Sequence, residues 1–347
     1  MPALLFALPC APDEPRGNVT TARRIARGLV AHGWLSGRCD ARTDPADWPS
    51  ADVVVALHAA NAAPQVQAAC DPMRGVPTLR GRPFLVMFTG TDLVAEPAAA
   101  ARNAVASSAA AVALGTAARA AALASYPEPA GGIHLIRQGL EPLPESAAWP
   151  PGVPPLEAED ELLLLPCGVR AVKDPARAVR ALAPLAATRP RLRLWIAGPE
   201  MEGAAAAELR EAILRANVGI PQPWVRWLGA VPREQLRPLV QHSRLVLSSS
   251  HAEGGAPNAL LEAAECGVPV LASDISAHRD FPGAAQLFGD DAELRARTAE
   301  LLDDPHGAQR LGEQLRAHAL LHFNAAAEAR SWDALLRRHT PVTARSR

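Results

Sequence analysis

Short apolar segments alternate with helical patterns along most of the chain. Residues 20–32, 203–216 and 233–241 show such helical patterns. The apolar segments, each long enough for one strand, are residues 3–8, 52–57, 83–88, 110–114 and 132–136 in the first half and 161–166, 191–197, 225–228, 244–247 and 268–271 in the second. Strands that alternate with helices of this length form parallel sheets covered by helices on both faces. The sequence therefore predicts an α/β protein with two doubly wound domains.

A proline-rich stretch separates the two halves of this pattern. It carries six prolines between residues 142 and 155 and has no apolar periodicity, which is typical of a linker. Three helical patterns then end the chain after residue 290. We interpret residues 1–145 as the first domain, 146–160 as the linker, 161–323 as the second domain and 324–347 as a last helix with a short tail.

Composition excludes several classes of protein. The chain has 347 residues, 49% of them hydrophobic, and a formal net charge of -1, so it has core material for two domains and no overall charge suited to nucleic acid. Its apolar runs are strand-sized, which predicts no transmembrane segment. The five cysteines lack the spacing of a zinc site or a disulfide scaffold, so we expect no bound metal and a cytoplasmic location.

Polar residues in the first half follow the ends of predicted strands. His58 follows one strand, and Thr91 and Asp92 follow another, while Gly17 and Asn18 lie in the loop before the first helix. Ligands of doubly wound sheets bind at the carboxyl ends of strands, so we expect these residues to face a ligand. A lone histidine is more often a structural hydrogen-bonding group, and Gly17 and Asn18 fit an ordinary turn equally well.

The segment 248–273 combines a strand, a glycine turn, a helix and a second strand. Glu253 precedes Gly254 and Gly255, and Glu262 lies about one turn inside the helix. Free backbone N–H groups at a helix N-terminus bind phosphate, and carboxylates accept hydrogen bonds from sugar hydroxyls. The alternative is an ordinary strand–helix–strand unit with surface carboxylates.

This segment resembles the donor-sugar motif of the retaining glycosyltransferases of family 4, which have the GT-B fold. The run 257–262 matches the helical part of the motif. Two departures stand out: Glu262 follows Glu253 by nine positions rather than eight, and Thr89 occupies the place of a histidine. The resemblance implies two Rossmann-like domains facing a cleft, with the last helix crossing back to the first domain.

The resemblance also implies roles for the second half. Arg170 and Lys173 would neutralise the donor diphosphate, although each alone fits a solvated loop charge equally well. Glu253 would bind a hydroxyl of the donor sugar, and Glu262 the ribose hydroxyls. The other residues implied in donor binding are Gly198, Gly229, Gly254, Gly255, Ala256 and Asn258. The activity implied is a retaining, metal-independent transfer from a nucleotide diphosphate sugar, expected to be a UDP-sugar, to an unknown acceptor without a cofactor. The residues implied on the acceptor side are Gly17, Asn18, His58, Thr91 and Asp92.

The first half extends the resemblance to smaller groups within family 4. The blocks 17–25, 56–58, 88–92 and 138–140, with 167–175, are similar to the glycosyltransferase 1 domain-containing subgroup and to bacterial selenosugar synthases. One alternative is therefore a selenosugar synthase that uses selenophosphate as acceptor. A second is a nucleotide-sugar binding protein that has lost turnover, and an epimerase or a phosphorylase stays open as well.

Overall fold

The computed structural model describes residues 1–14, 16–145, 148–279 and 285–340. Two residues of the predicted linker, 146 and 147, and the predicted tail from 341 lie outside them. Within the described residues the chain divides into two compact units. The first contains Met1–Gly139, Glu253–Gly255 and the chain from Phe323 to the last described residue, and the second contains Leu140–Ala252 and Ala256–His322.

The first unit is built on a six-stranded parallel sheet. Its strands are β1 (Ala3–Leu8), β2 (Leu35–Asp40), β3 (Val53–Leu57), β4 (Phe84–Met87), β5 (Ala110–Ala113) and β6 (Ile133–Leu135), in the order β2-β1-β3-β4-β5-β6. Its helices are α1 (Gly17–Val30), α2 (Ala63–Cys70), α3 (Ala99–Ser107), α4 (Thr116–Ser125) and, from the end of the chain, α12 (Ala325–His339). Helices cover the sheet on both sides, because two separate apolar clusters use alternate residues of the same strands.

The second unit repeats this plan with a second six-stranded parallel sheet. Its strands are β7 (Glu161–Pro166), β8 (Leu192–Ala197), β9 (Val225–Gly229), β10 (Leu245–Ser248), β11 (Val270–Ser273) and β12 (Gln286–Phe288), in the order β12-β11-β10-β7-β8-β9. Its helices are α5 (Pro175–Ala186), α6 (Gly203–Ala216), α7 (Leu236–His242), α8 (Asn258–Glu265), α9 (Ser276–Arg279), α10 (Asp291–Asp303) and α11 (Pro305–His322). The two sheets confirm the predicted α/β architecture with two doubly wound units.

Helix α12 completes the core of the first unit. Trp332 and Leu336 are fully buried in the apolar cluster that also contains residues of α1 and β1. Arg24 of α1 forms a buried, two-pronged ion pair with Glu328 of α12, with N–O distances of 2.9 and 3.0 Å. Burial of both charges is tolerated because each satisfies the other with hydrogen bonds.

None of the helices in the described ranges combines the length and apolar character that a membrane span requires.

Candidate active site

Glu262, the fifth residue of α8, pairs with an arginine that the sequence analysis did not single out. Arg233 Nε lies 3.1 Å from Glu262 Oε1 in the second unit. The same guanidinium donates to the carbonyl oxygens of Glu141 and Pro142 at 2.7 and 3.1 Å. Arg233 therefore links the predicted ribose-binding carboxylate to the backbone of Glu141 and Pro142, which lies near the start of the second unit.

The surroundings of Glu262 perturb its ionisation. Burial raises the pKa of Glu262 from 4.5 to about 7, and the charge and hydrogen bond of Arg233 oppose this rise without cancelling it. The negative charges of Glu141 and Glu265 add to the rise. A carboxyl whose pKa lies near neutrality changes its charge within the physiological range, and such groups are enriched at functional sites.

Arg170 begins the turn that follows β7. Its Nε is buried and has no hydrogen-bond partner among the described residues. The turn lies against the end of β10, because Ser249 Oγ is 2.9 Å from the carbonyl oxygen of Lys173 and 2.8 Å from that of Asp174. A buried guanidinium N–H without a partner is costly, so this group is suited to receive an anionic oxygen.

Gly198 and Gly229 lie at the ends of β8 and β9, as the strand pattern predicts. The N–H of Gly198 donates to the carbonyl oxygen of Gly229 at 2.8 Å. A side chain at Gly198 would overlap the carbonyl group of Cys167, the residue that follows β7. Gly229 has a φ of +72°, a conformation that glycine adopts without strain. These glycines let the loops after β7, β8 and β9 approach closely at the carboxyl edge of the second sheet.

The turn at Glu253–Gly255 is grouped with the first unit. A side chain at Gly254 would overlap the backbone of Thr89 and Gly90, and one at Gly255 would lie 2.9 Å from Leu114 Cβ. Both glycines are buried, so the backbone predicted to cradle a phosphate is packed against protein in this structure. Ala256 is buried in the second unit, and Asn258 begins α8 without a side-chain cap from the preceding residue.

His58, Thr91 and Asp92 come together in the first unit. His58 Nε2 lies 2.9 Å from Thr91 Oγ1, and His58 Nδ1 accepts from the N–H groups of Ala60 and Asn61 at 3.2 Å each. His58 has a φ of +91°, a strained value for a residue with a side chain.

The Asp92 side chain holds the backbone next to His58 and Thr91. Its carboxylate is buried and accepts hydrogen bonds from the N–H groups of Ala59 at 2.8 Å, Gly90 at 2.8 Å and Thr89 at 3.0 Å. The Tyr126 hydroxyl donates to the Asp92 carbonyl oxygen at 2.7 Å. Asp92 therefore ties the loops after β3 and β4 together, and its carboxylate is occupied by backbone rather than presented to an acceptor.

Gly17 and Asn18 form the first residues of α1, three residues earlier than the helical pattern predicts. Gly17 is exposed, and no atom lies within 4 Å of the position a side chain would occupy. Asn18 is partly exposed. The roles predicted for both residues, and those of the donor-binding residues, stay predictions.

Parts of this chain are similar to known glycosyltransferases. Residues 164–304, less than half of the chain, match the family model of group 1 glycosyl transferases. The O-antigen chain mannosyltransferase B of Escherichia coli is 38% identical over 85 residues, which are 24% of this chain and 22% of that protein. Glycosyltransferase 1 domain-containing protein 1 of Xenopus tropicalis is 26% identical over 199 residues, covering 55% of this chain and 56% of that protein. The matched stretches thus span about a fifth and about half of these relatives.

Solved structures establish the fold. The Anabaena protein HepE, solved in complex with UDP and glucose, superposes with a TM-score of 0.74 at 17% identity, covering 97% of this chain and 100% of that chain. Sucrose-phosphate synthase of Thermosynechococcus elongatus superposes with a TM-score of 0.76 at 17% identity, covering 97% and 98%. The two parallel sheets and these superpositions confirm the predicted GT-B fold.

Proposed function

We propose that the protein is a glycosyltransferase that moves a sugar from a UDP-sugar to an acceptor, with retention of configuration and without a metal ion. The observation that carries the proposal is the buried, unpartnered Nε of Arg170 at the carboxyl edge of the second sheet. Support for the donor class comes from the group 1 glycosyl transferase match over residues 164–304 and from the UDP and UDP-glucose complexes of HepE.

Arg170 and Lys173 supply the electrostatics that this reaction needs. As the bond between the anomeric carbon and the diphosphate oxygen breaks, negative charge accumulates on the leaving diphosphate. Fixed cations aimed at that charge stabilise the transition state more than the ground state. In same-face displacement the acceptor oxygen forms its bond to the anomeric carbon on the side the diphosphate leaves, and the acceptor proton passes to the leaving phosphate.

Glu262 would accept the ribose hydroxyls of the nucleotide as an ionised carboxylate. Arg233 would hold this carboxylate in place at 3.1 Å while stabilising its charge. Gly229 would leave room for the nucleoside, because no atom lies within 4 Å of the position its side chain would occupy, whereas Gly198 would act by letting the loop after β8 pack against Cys167.

Nucleotide release tests this function directly. Wild-type protein is incubated with UDP- and GDP-sugars, alone and with glycerol, glucose 6-phosphate or selenophosphate, in the presence of EDTA. We expect release that depends on one acceptor and prefers one UDP-sugar, and NMR of the product should show retained anomeric configuration. Arg170→Ala should lower the release rate about a hundredfold, whereas Glu262→Ala should weaken UDP binding.

A second candidate is a nucleotide-sugar binding protein without turnover. The observation that favours it is the burial of Gly254 and Gly255, which places the predicted phosphate cradle against Thr89, Gly90 and Leu114. Binding of UDP-sugars without release under any of these conditions would select this candidate over the transferase.

A further inference from the structure

We propose that Thr91 binds a non-reacting oxygen of the acceptor substrate and that His58 is the positioning residue that orients its hydroxyl. This inference rests on the proposed function, because it assigns part of the acceptor site of the same reaction. Its new element is the direction of the hydrogen bond between His58 and Thr91, that is, which group donates and which accepts.

The tautomer of His58 follows from its hydrogen bonds. Nδ1 lies 3.2 Å from the backbone nitrogens of both Ala60 and Asn61, and backbone N–H groups can only donate. Nδ1 is therefore the acceptor, and the proton of the neutral ring is on Nε2. The Nε2–H then donates to Thr91 Oγ1 at 2.9 Å, which is closer to Nε2 than the Asn61 side-chain nitrogen at 3.4 Å.

The direction of the Thr91 hydroxyl follows in turn. Because Oγ1 accepts from His58, its own proton is left to donate to a further group. Thr91 is exposed, whereas His58 is buried beneath it. The exposed Thr91 hydroxyl is thus a hydrogen-bond donor. It is suited to bind a phosphate, carbonyl or hydroxyl oxygen that has a free lone pair. The attacking acceptor oxygen needs its lone pair for the new bond, so Thr91 is suited to a neighbouring oxygen.

The support beneath Thr91 is rigid. Asp92 fixes the loop through three backbone N–H groups, and Tyr126 fixes the Asp92 carbonyl oxygen. His58 keeps a positive φ, a strained conformation that the surrounding contacts must offset. Rigid support of this kind holds a binding group in one orientation.

Thr91→Val and His58→Asn test the hydroxyl and its positioning residue separately. Thr91→Val removes the hydroxyl with little change in shape, and Thr91→Ser is the matched control that keeps it. His58→Asn tolerates a positive φ, and its side-chain oxygen can accept from the following backbone N–H groups, but it is too short to reach Thr91. The fold is therefore expected to survive each change.

Steady-state kinetics with UDP-glucose and the acceptor identified among glycerol, glucose 6-phosphate and selenophosphate is the test. We expect Thr91→Val to raise the acceptor KM about tenfold with the donor KM unchanged, and Thr91→Ser to restore it. His58→Asn should raise the acceptor KM about threefold to tenfold, and the double variant should match Thr91→Val alone, because the two residues act as one unit.

Outcomes that oppose the inference are distinct from failure of the proposed function. An unchanged acceptor KM in Thr91→Val, or an equal rise in the donor KM, would overturn the role of Thr91. Nitrogen NMR of ¹⁵N-histidine-labelled protein, assigned with His58→Asn, should show the proton on Nε2, and a proton on Nδ1 would overturn the role of His58 even without activity. Absence of transfer by wild type to every probe would instead overturn the proposed function and with it the acceptor site.

Discussion

Replacing Glu262 by glutamine should change how stability depends on pH. Glutamine keeps the shape of the side chain and an oxygen that can accept from Arg233, but it cannot ionise. Burial raises the pKa of Glu262 from 4.5 to about 7. At about 1.4 kcal/mol per unit, the buried carboxylate costs the folded state roughly 3 kcal/mol once it is fully ionised.

The sign of the effect follows from proton binding. Between pH 4.5 and pH 7 the folded protein binds more protons at Glu262 than the unfolded protein does, so this group makes stability fall as pH rises. The glutamine variant lacks this contribution. The free energy of unfolding of Glu262→Gln minus that of wild type should therefore increase by about 2–3 kcal/mol from pH 5 to pH 8.

Equilibrium urea unfolding of both proteins at pH 5, 6, 7 and 8 measures this difference, since contributions from other groups cancel in it. Arg233→Gln is the companion variant: Arg233 lowers the pKa of Glu262, so its removal should shift the increase to higher pH. If Glu262 binds ribose as a carboxylate, UDP affinity of wild type should also rise from pH 6 to pH 8 while that of Glu262→Gln stays level. A difference that does not change with pH would refute the reasoning.

Two further substitutions test the packing around these sites. Gly198→Ala should lower the free energy of unfolding by about 2–3 kcal/mol, because its side chain would overlap the backbone carbonyl of Cys167, whereas the control Gly203→Ala has room and should change it by less than about 1 kcal/mol in urea unfolding. Glu328→Gln should cost about 3–5 kcal/mol, because it leaves the buried Arg24 without its charged partner, and the double variant with Arg24→Met and Glu328→Leu should recover most of that loss. A double variant as unstable as Glu328→Gln would show that the pair supplies net stability.

The fold was largely predictable because buried parallel strands are continuous apolar runs. β1 and β7 have the bounds that the sequence pattern predicts. The strands that were not predicted are β2 and β12, and each lies at an edge of its own sheet. β2 contains glycine and arginine and is mostly half-exposed, and β12 has three residues, so neither gives an apolar run of useful length.

The places of the candidate residues at strand ends were predictable from sequence, but their pairings were not. The carboxyl ends of neighbouring strands meet at one edge, which is why His58 and Thr91 could be placed together from sequence. The pairing of Arg233 with Glu262 joins residues 29 positions apart, and no local pattern shows that the turn before α7 faces α8. The burial that perturbs Glu262 is likewise a property of the packed unit, so its shifted pKa could not be inferred from sequence.

The block 17–25 divides into residues with different tasks. Arg24 and the buried Thr21 face the interior, and Arg24 is fully engaged with Glu328 of α12. A side chain at Gly139, in the resemblance block 138–140, would lie 2.7 Å from Ala325 Cα and from the same carboxylate of Glu328. Arg24 and Gly139, from separate resemblance blocks, thus both lie against α12, and the need to accommodate that helix accounts for these two residues. The likeness at these two positions therefore carries no information about the acceptor.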